Sequence, residues 1–558
     1  MAESRLAQAL NKLDELGFRP SKRIGTARCF DGELQCAKGP VKIRLMISDW
    51  EFTTLPTIVL LERPAYLPGL TPHVSGEGFQ CYFVHGRIVL DRYRPDNAIW
   101  QCVEQAKQEI DRLSTSSRYR EQEFGQEFAA NWEIGQNPAP IPVLLGEVSG
   151  SGPFPCMKLE GASGTYLLVA SNEGKIEALS KTCNWSAPKR MSIGSYVVQS
   201  AELPNMPKDR LPRTVTDMLV WIRSWDRKVT KQIHLILGQR EWLNFKWVQF
   251  FISTPAGWFG FLFQIDSNRS LMCRRVPTRY RQYLYSNGED VEISRVSARQ
   301  ISPEFIHSRN LLVNSLRDKK IKLIGCGAIG GYLAQSLVRL GAGTGSGVLT
   351  LIDPDVLVPG NLGRHFLGMD YLYRSKSEAL SEALVRQFPY AQLLAEPRSA
   401  NLPSDIAGDL VVDATGEEAV SEAVNANGRT VSQGCGVPVL HTWIVGNGQC
   451  VQALWVDKPK FACFRCMRCM NDERAKRFPI LEEEPETRMV GCSAYTPYAV
   501  SAPMSASALA TDMIIDWLKG DVSPRFRTRA VEGANVRTVK NQNVKPLKGC
   551  PGCEVRQP

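Results

Sequence analysis

No stretch of this chain approaches the roughly 18 uninterrupted apolar residues that a membrane-spanning helix needs, so no membrane partner is expected. The first residues, Met1-Ala2-Glu3-Ser4, carry no secretory signal pattern, and the expected location is the cytoplasm. No basic run with interleaved aromatics occurs, so no direct nucleic-acid partner is expected. The net charge of +10 reads as a solvated basic surface or a mild preference for acidic partners. Internal repeats and low-complexity tracts are missing too. What is there is an ordinary globular composition of 558 residues, 43% hydrophobic and 22% charged. That length suits about two to four domains with real cores. Sixteen cysteines in such a chain read as thiols and metal ligands rather than disulfides. Six of them, Cys463, Cys466, Cys469, Cys492, Cys550 and Cys553, fall in the last hundred residues.

Three regions follow one another. Within residues 1–118, Leu6, Leu10 and Leu13 share a helical face that Gly17 stops. Val41–Ile47 and Thr57–Leu61 read as strands, Arg63 to Gly78 as a turn-rich stretch, and Asn97 to Leu113 as a second helix. This is one small α+β domain that ends near Ser114–Ser117. Residues 119–300 read as a mixed α/β linker domain. There Tyr166–Val169 and Ile233–Leu237 are expected as strands, Val215–Trp225 as a helix, and Trp221, Trp225, Trp242, Trp247 and Trp258 mostly as packed core. No motif in that region announces a chemistry. Residues 301–558 alternate a strand at Lys320–Ile324, a glycine-rich turn, a helix to Leu340, a strand at Val348–Ile352 and a later one at Leu410–Val412. That alternation predicts a doubly wound, Rossmann-like parallel sheet, so the fold class is α/β.

Gly325-Cys326-Gly327-Ala328-Ile329-Gly330 is a G-x-G-x-x-G between strand and helix, where backbone N–H groups and the helix dipole favour phosphate. Asp353 ends the next strand, placed for a ribose hydroxyl. These features alone fit a nicotinamide-dependent dehydrogenase equally well. The continuation differs: Asn361-Leu362-Gly363-Arg364-His365, then Lys376, then Asp413. Cleaving ATP between its α- and β-phosphates calls for cations on the phosphates and a carboxylate for Mg²⁺. The series resembles the adenylation domain of ubiquitin-activating-type enzymes, the fold shared with MoeB and ThiF, over about residues 302–558. The resemblance implies that Gly325, Gly327 and Gly330 cradle ATP and that Asp353 holds its ribose. It further implies that Asn361, Arg364 and Lys376 bind the triphosphate and that Asp413 binds Mg²⁺. It also implies an arginine reaching across a homodimer, for which Arg309 is the candidate.

Cys463-Phe464-Arg465-Cys466 and Cys550-Pro551-Gly552-Cys553 are two C-x-x-C pairs, suited to a closed, structural Zn²⁺ site as in MoeB-like proteins. Cys469 overlaps the first pair and leaves the ligand choice open; a redox pair is the alternative. Cys492 stands alone in Gly491-Cys492-Ser493-Ala494-Tyr495-Thr496-Pro497, ahead of a helical stretch from Ser501 to Lys519. The segment resembles the catalytic-cysteine region of the autophagy activating enzyme, which implies a thioester on Cys492.

Thr71-Pro72-His73, then Gly78-Phe79-Gln80-Cys81, resembles the H-P-N and G-x-x-C signature of ubiquitin-conjugating domains, over about residues 1–115. His73 stands where that family has an oxyanion-stabilising Asn; an imidazole N–H can donate the same bond. Cys29, Cys36 and Cys102 read as structural. A conjugating-like domain ahead of an activating-like domain is the layout of the bacterial CBASS antiphage fusion enzymes, which this chain resembles. The resemblance implies a homodimer acting on the free C-terminus of a cGAS/DncV-like nucleotidyltransferase. The expected route runs from adenylate to Cys492, then Cys81, then a target amine. The alternative is MoeB- or ThiF-like activation of a sulfur-carrier or ubiquitin-like protein, for which Cys81 is dispensable.

Overall fold

The computed structural model describes residues 2–553 apart from 69, 84–87, 134–135, 137–138, 151, 208–209, 312, 431–435, 470–474, 491–492 and 532–533. The chain divides into two compact units, one of residues 1–176 and 185–300, the other of 177–184 and 301–558. No helix among the described residues is long and apolar enough to cross a membrane.

The first unit begins with helix α1 (Ala2–Glu15) and an antiparallel sheet in sequential order. Its strands are β1 (Arg19–Ile24), β2 (Ala27–Cys36), β3 (Gly39–Ile47), β4 (Thr57–Leu60) and β5 (Phe79–Gln80). In β3 the period of two puts Val41, Ile43, Leu45 and Ile47 inside while Lys42 and Arg44 face outward. Helix α2 (Pro95–Thr115) covers this face with Ala98, Ile99, Cys102, Ala106, Ile110 and Leu113, which share one helical face. Cys29 and Cys102 are buried and Cys36 half-buried in this region, as structural cysteines would be.

Helix α2 ends at Thr115, and Ser116 is extended. The Ser116 hydroxyl oxygen accepts from the Tyr119 N–H at 3.1 Å and caps a new helix, α3 (Ser117–Asn131). Phe124, Phe128 and Trp132 from this segment bury into the next core, beside Trp221 and Phe259. That core lies on an eight-stranded mixed sheet. Of the five tryptophans expected inside, Trp221 and Trp242 are buried, and Trp225, Trp247 and Trp258 are half-buried against the cores. Tyr166–Val169 falls in a strand and Val215–Trp225 is a helix. Ile233–Leu237, expected as a strand, instead closes a helix over Arg227–Ile236. The Asp226 carboxylate accepts from the Lys228 and Val229 N–H groups, and Val229, Ile233 and Leu237 bury at four-residue spacing. The short apolar run had no period of its own; the cap and the longer spacing decide the helix.

The second unit is built on β6 (Lys320–Ile324), β7 (Val348–Ile352), β8 (Leu393–Glu396), β9 (Leu410–Asp413) and β10 (Val439–Val445), all parallel in the order β8-β7-β6-β9-β10. Two antiparallel strands, β11 (Cys450–Val456) and β12 (Phe526–Ala530), extend it. The strand order reverses at β6, where chain crossovers leave to either side and a crevice opens at the strand ends. Helices α4 (Ala328–Arg339) and α7 (Ser501–Leu518) pack together on one side, and α5 (Lys376–Gln387) joins them in the same core. Helix α6 (Glu418–Thr430) follows β9.

Candidate active sites

The short β4–β5 ladder pairs Ile58 with Gln80 and Val59 with Phe79, which leaves Cys81 one residue past the sheet edge and exposed. The turn before it depends on Gly78. Its φ is +85°, and a Cβ there would sit 2.6 Å from the Leu60 carbonyl oxygen, which no side chain tolerates. His73 also adopts a left-handed backbone, φ +61°, and its carbonyl accepts from the Cys81 N–H at 2.7 Å. The H-P-N-like and G-x-x-C-like segments are therefore tied to each other by the backbone.

The His73 ring lies near Cys81, whose own sulfur points to the Phe83 carbonyl at 3.7 Å. Three carboxylates surround the ring: Nε2 is 3.3 Å from Glu123 and 3.8 Å from Glu109, and Nδ1 is 3.1 Å from Glu127. Burial works against a charged ring, but Cys81, Glu127 and Glu109 outweigh it and the His73 pKa is pushed up to about 10. Glu109 comes from α2, and Glu123 and Glu127 come from α3. None of the three was found by motif. Their i, i+4 spacing on α3 was the available signal, but it lay beyond the assumed domain end.

In the second unit one cavity of about 470 Å³ opens at the reversal of strand order. Gly325, Gly327, Asp353, Asn361, Arg364 and Lys376 line it together. The third glycine of the loop, Gly330, serves packing: a Cβ there would fall 1.8 Å from the Gly325 carbonyl oxygen, so only glycine lets α4 approach the loop. Asp353 is buried, and its carboxylate accepts from the Cys326 N–H at 2.6 Å and the Asp355 N–H at 2.8 Å. Burial pushes its pKa up while those N–H groups hold it back. Lys376 pairs with Asp355 at 2.7 Å, and the Arg364 guanidinium lies 4.9 Å from the Tyr498 ring centre. The Asn361 side-chain oxygen accepts from the Val358 N–H and fixes the turn that carries Arg364. Thr415, Glu417 and Tyr498 line the cavity as well, without having been singled out in the sequence.

Besides Gly330, two predicted residues stand apart from that lining. Asp413 is buried at the end of β9, where its oxygens accept from Thr415 (N–H and hydroxyl), Ser421 and His441. Burial tends to raise its pKa, yet the His441, Ser421 and Thr415 bonds hold it below the ordinary carboxylate range. Thr415, which it orients, does reach the cavity. Arg309 follows a short helix, Pro303–Ser308, with its guanidinium over the Phe305 ring.

The sulfurs of Cys463, Cys466, Cys550 and Cys553 converge within 4.8 Å of one another. Their closest approaches are 3.4 to 3.9 Å. A tetrahedron with bonds of about 2.3 Å puts its sulfurs about 3.8 Å apart, so the donor set fits one zinc ion. Cys469 is outside the cluster, its N–H bound to the Ala475 carbonyl. Cys492 lies outside the described residues. Helix α7 begins nine residues later, and the intervening Tyr498 lines the cavity.

Residues 297–552 match the ThiF family and residues 21–139 match Prokaryotic E2 family B. An "ATP-dependent ubiquitin transferase-like protein Cap2" of Pseudomonas aeruginosa is 29% identical over 93% of this chain and 92% of its own. The protein of that name from Escherichia coli is 25% identical over the same shares of the two chains. Among solved structures, Escherichia coli MccB with ATP aligns at 17% identity and a TM-score of 0.33, over 43% of this chain and 68% of that one.

Proposed function

We propose that this chain, a homologue of the ATP-dependent ubiquitin transferase-like proteins that joins a prokaryotic E2 family B domain to a ThiF domain, is a two-cysteine protein ligase. We read its first unit as a conjugating-like domain, 1–118, with a linker domain, 119–300, and residues 301–558 as the adenylating domain. The observation that carries the proposal is the pairing of chemistries in one chain. A cavity gathers the glycine loop, Asp353, Asn361, Arg364 and Lys376, and an exposed Cys81 stands against His73.

ATP lies on the glycine loop, its ribose on Asp353 and its phosphates on Asn361, Arg364 and Lys376. A protein's C-terminal carboxylate attacks the α-phosphate, forming an acyl-adenylate and releasing pyrophosphate. Mg²⁺, when bound, would neutralise phosphate charge there; Asp413, bonded to the lining residue Thr415 and to Ser421 and His441, is the carboxylate proposed to hold it. Cys492 then attacks the acyl carbon, and AMP leaves. Cys492 is six residues from Tyr498, a span of about 20 Å at most, which supports reach to the cavity. Cys81 takes the acyl group by thiol exchange. A target amine attacks the Cys81 thioester, giving an amide and a free thiol. Zinc, held by the four clustered cysteines, would tie the chain's last segment to the adenylating domain. By homology of layout, the substrate is a cGAS/DncV-like nucleotidyltransferase and the setting is CBASS antiphage defence in the cytoplasm. The working form is a homodimer, with Arg309 offered to the partner's nucleotide.

Non-reducing electrophoresis with ATP, Mg²⁺ and a candidate nucleotidyltransferase, followed by mass spectrometry of thiol-labile adducts, tests the reading. Adducts on both Cys492 and Cys81 are expected. Adducts on neither, with ATP turnover intact, would replace it with sulfur-carrier activation or with a different substrate.

A further inference from the structure

A neutral imidazole has one N–H donor and one bare nitrogen. Around His73 both ring nitrogens lie near carboxylate oxygens, which only accept: Glu123 and Glu109 at Nε2, and Glu127 at Nδ1, close but not aligned as a hydrogen bond. A bare nitrogen on either side would set a lone pair against an anion. The ring side chain is 12% exposed and Glu109 7%, so water offers little relief on that side, while Glu123 at 20% and Glu127 at 36% meet solvent more. Glu109 has a further neutral donor, the Tyr119 hydroxyl at 2.9 Å, but among the described residues no Lys or Arg is paired with it. Three carboxylates of two helices thus converge on one imidazole, whose residue is bonded through its carbonyl to the Cys81 N–H at the sheet edge.

We propose that Glu123 and Glu127, with Glu109, are positioning residues that hold His73 as an imidazolium beside Cys81: Nε2–H stays on Glu123, and Nδ1–H, which makes no aligned bond to Glu127, is left for the thiolate during thiol exchange and the thioester oxyanion during amine attack. The proposal rests on the reading of Cys81 as the conjugating cysteine. The titratable groups facing the ring among the described residues are Cys81 from the end of β5, Glu109 from α2, and Glu123 and Glu127 from α3. An imidazolium donates a charge-assisted bond, stronger than that of the amide this position holds in ubiquitin-conjugating domains. The carboxylates supply the proton affinity that burial removes. Because α3 continues into the linker core, the same helix that buries Phe124 and Phe128 presents Glu123 and Glu127.

The test follows the histidine ring signals by NMR in the full-length protein, with the His73 signal identified by its loss in His73→Asn. In the wild type that signal is expected to stay in the charged form from pH 5.5 to 8.5. In Glu123→Gln/Glu127→Gln it is expected to titrate inside that range. The functional arm starts from substrate already on Cys492 and times its passage to Cys81 and to amine at pH 7.5. Transfer in the double variant is expected to fall about tenfold, since a ring returned to its ordinary value of 6.5 is charged in only about one molecule in ten at that pH, and to recover as pH is lowered toward 6. A wild-type ring that titrates near neutrality overturns the proposal. So does a double variant whose ring is neutral yet transfers at the wild-type rate. Absence of any Cys81 thioester in the wild type would instead sink the conjugating role of Cys81, and the NMR arm still reports whether the carboxylates charge the ring.

Discussion

Gly330 and His73 make the same point at the scale of single residues: each holds a backbone or charge state that its neighbours impose. At Gly330 a methyl group would collide with the Gly325 carbonyl at 1.8 Å, so Gly330→Ala must push α4 away from the loop. Nucleotide binding, measured by calorimetry, is expected to be lost while the first unit melts as before. Gly78→Ala meets both a carbonyl at 2.6 Å and a φ of +85°; a destabilisation of about 2 kcal/mol is expected from denaturant titration. His73 gives a pH dependence whose sign can be worked out. Its folded pKa, about 10, lies above its ordinary value of 6.5. Its stabilising contribution is therefore complete below about pH 6.5 and lost as pH rises through about 10. Denaturant midpoints should fall between pH 7 and 10 in the wild type and fall less in His73→Asn. The pair His73 and Cys81 was legible as a motif. The carboxylates were not, because glutamates on a helix carry no signature until the fold shows what they face.

Elements, not residues, decide how the first cores are joined and what the cysteine cluster does. Helix α3 shows why sequence gave a boundary but not an architecture: a serine cluster reads as a break, yet Ser116 caps a helix that links two cores. The strand expected at Ile233–Leu237 failed for the related reason that five apolar residues have no readable period until Asp226 is seen to cap them. By contrast the β6–α4–β7 alternation was legible, since glycine spacing and buried-strand runs follow from backbone demands alone. The four cysteines draw Cys550 and Cys553 onto the segment around Phe464, in a core shared with Phe526 and Val544. If zinc holds that core, Cys550→Ser should release the metal, from one ion per chain to none by elemental analysis. Melting of the second unit should drop by roughly 5 °C or more. An unchanged metal content in Cys550→Ser would move the site to Cys469.

For the molecule as a whole, the proposed chemistry is an order of events, and order can be blocked one step at a time. Cys492→Ala should keep substrate-dependent exchange of labelled pyrophosphate into ATP, because the adenylate forms before any thiol acts, while neither cysteine acquires substrate. Cys81→Ala should load Cys492 and stop there, with the thioester surviving until a reductant or thiol removes it. Asp413→Ala should stop exchange itself, since the ordered Thr415 turn and the carboxylate proposed for Mg²⁺ are lost together. Full product from Cys81→Ala would assign the activity to the ThiF domain alone and leave the first unit a docking role. Charging of Cys81 in Cys492→Ala would remove Cys492 from the relay and make the adenylate itself the donor. The three variants together separate an adenylating enzyme from a ligase, because only a ligase requires every block to fall at a different intermediate.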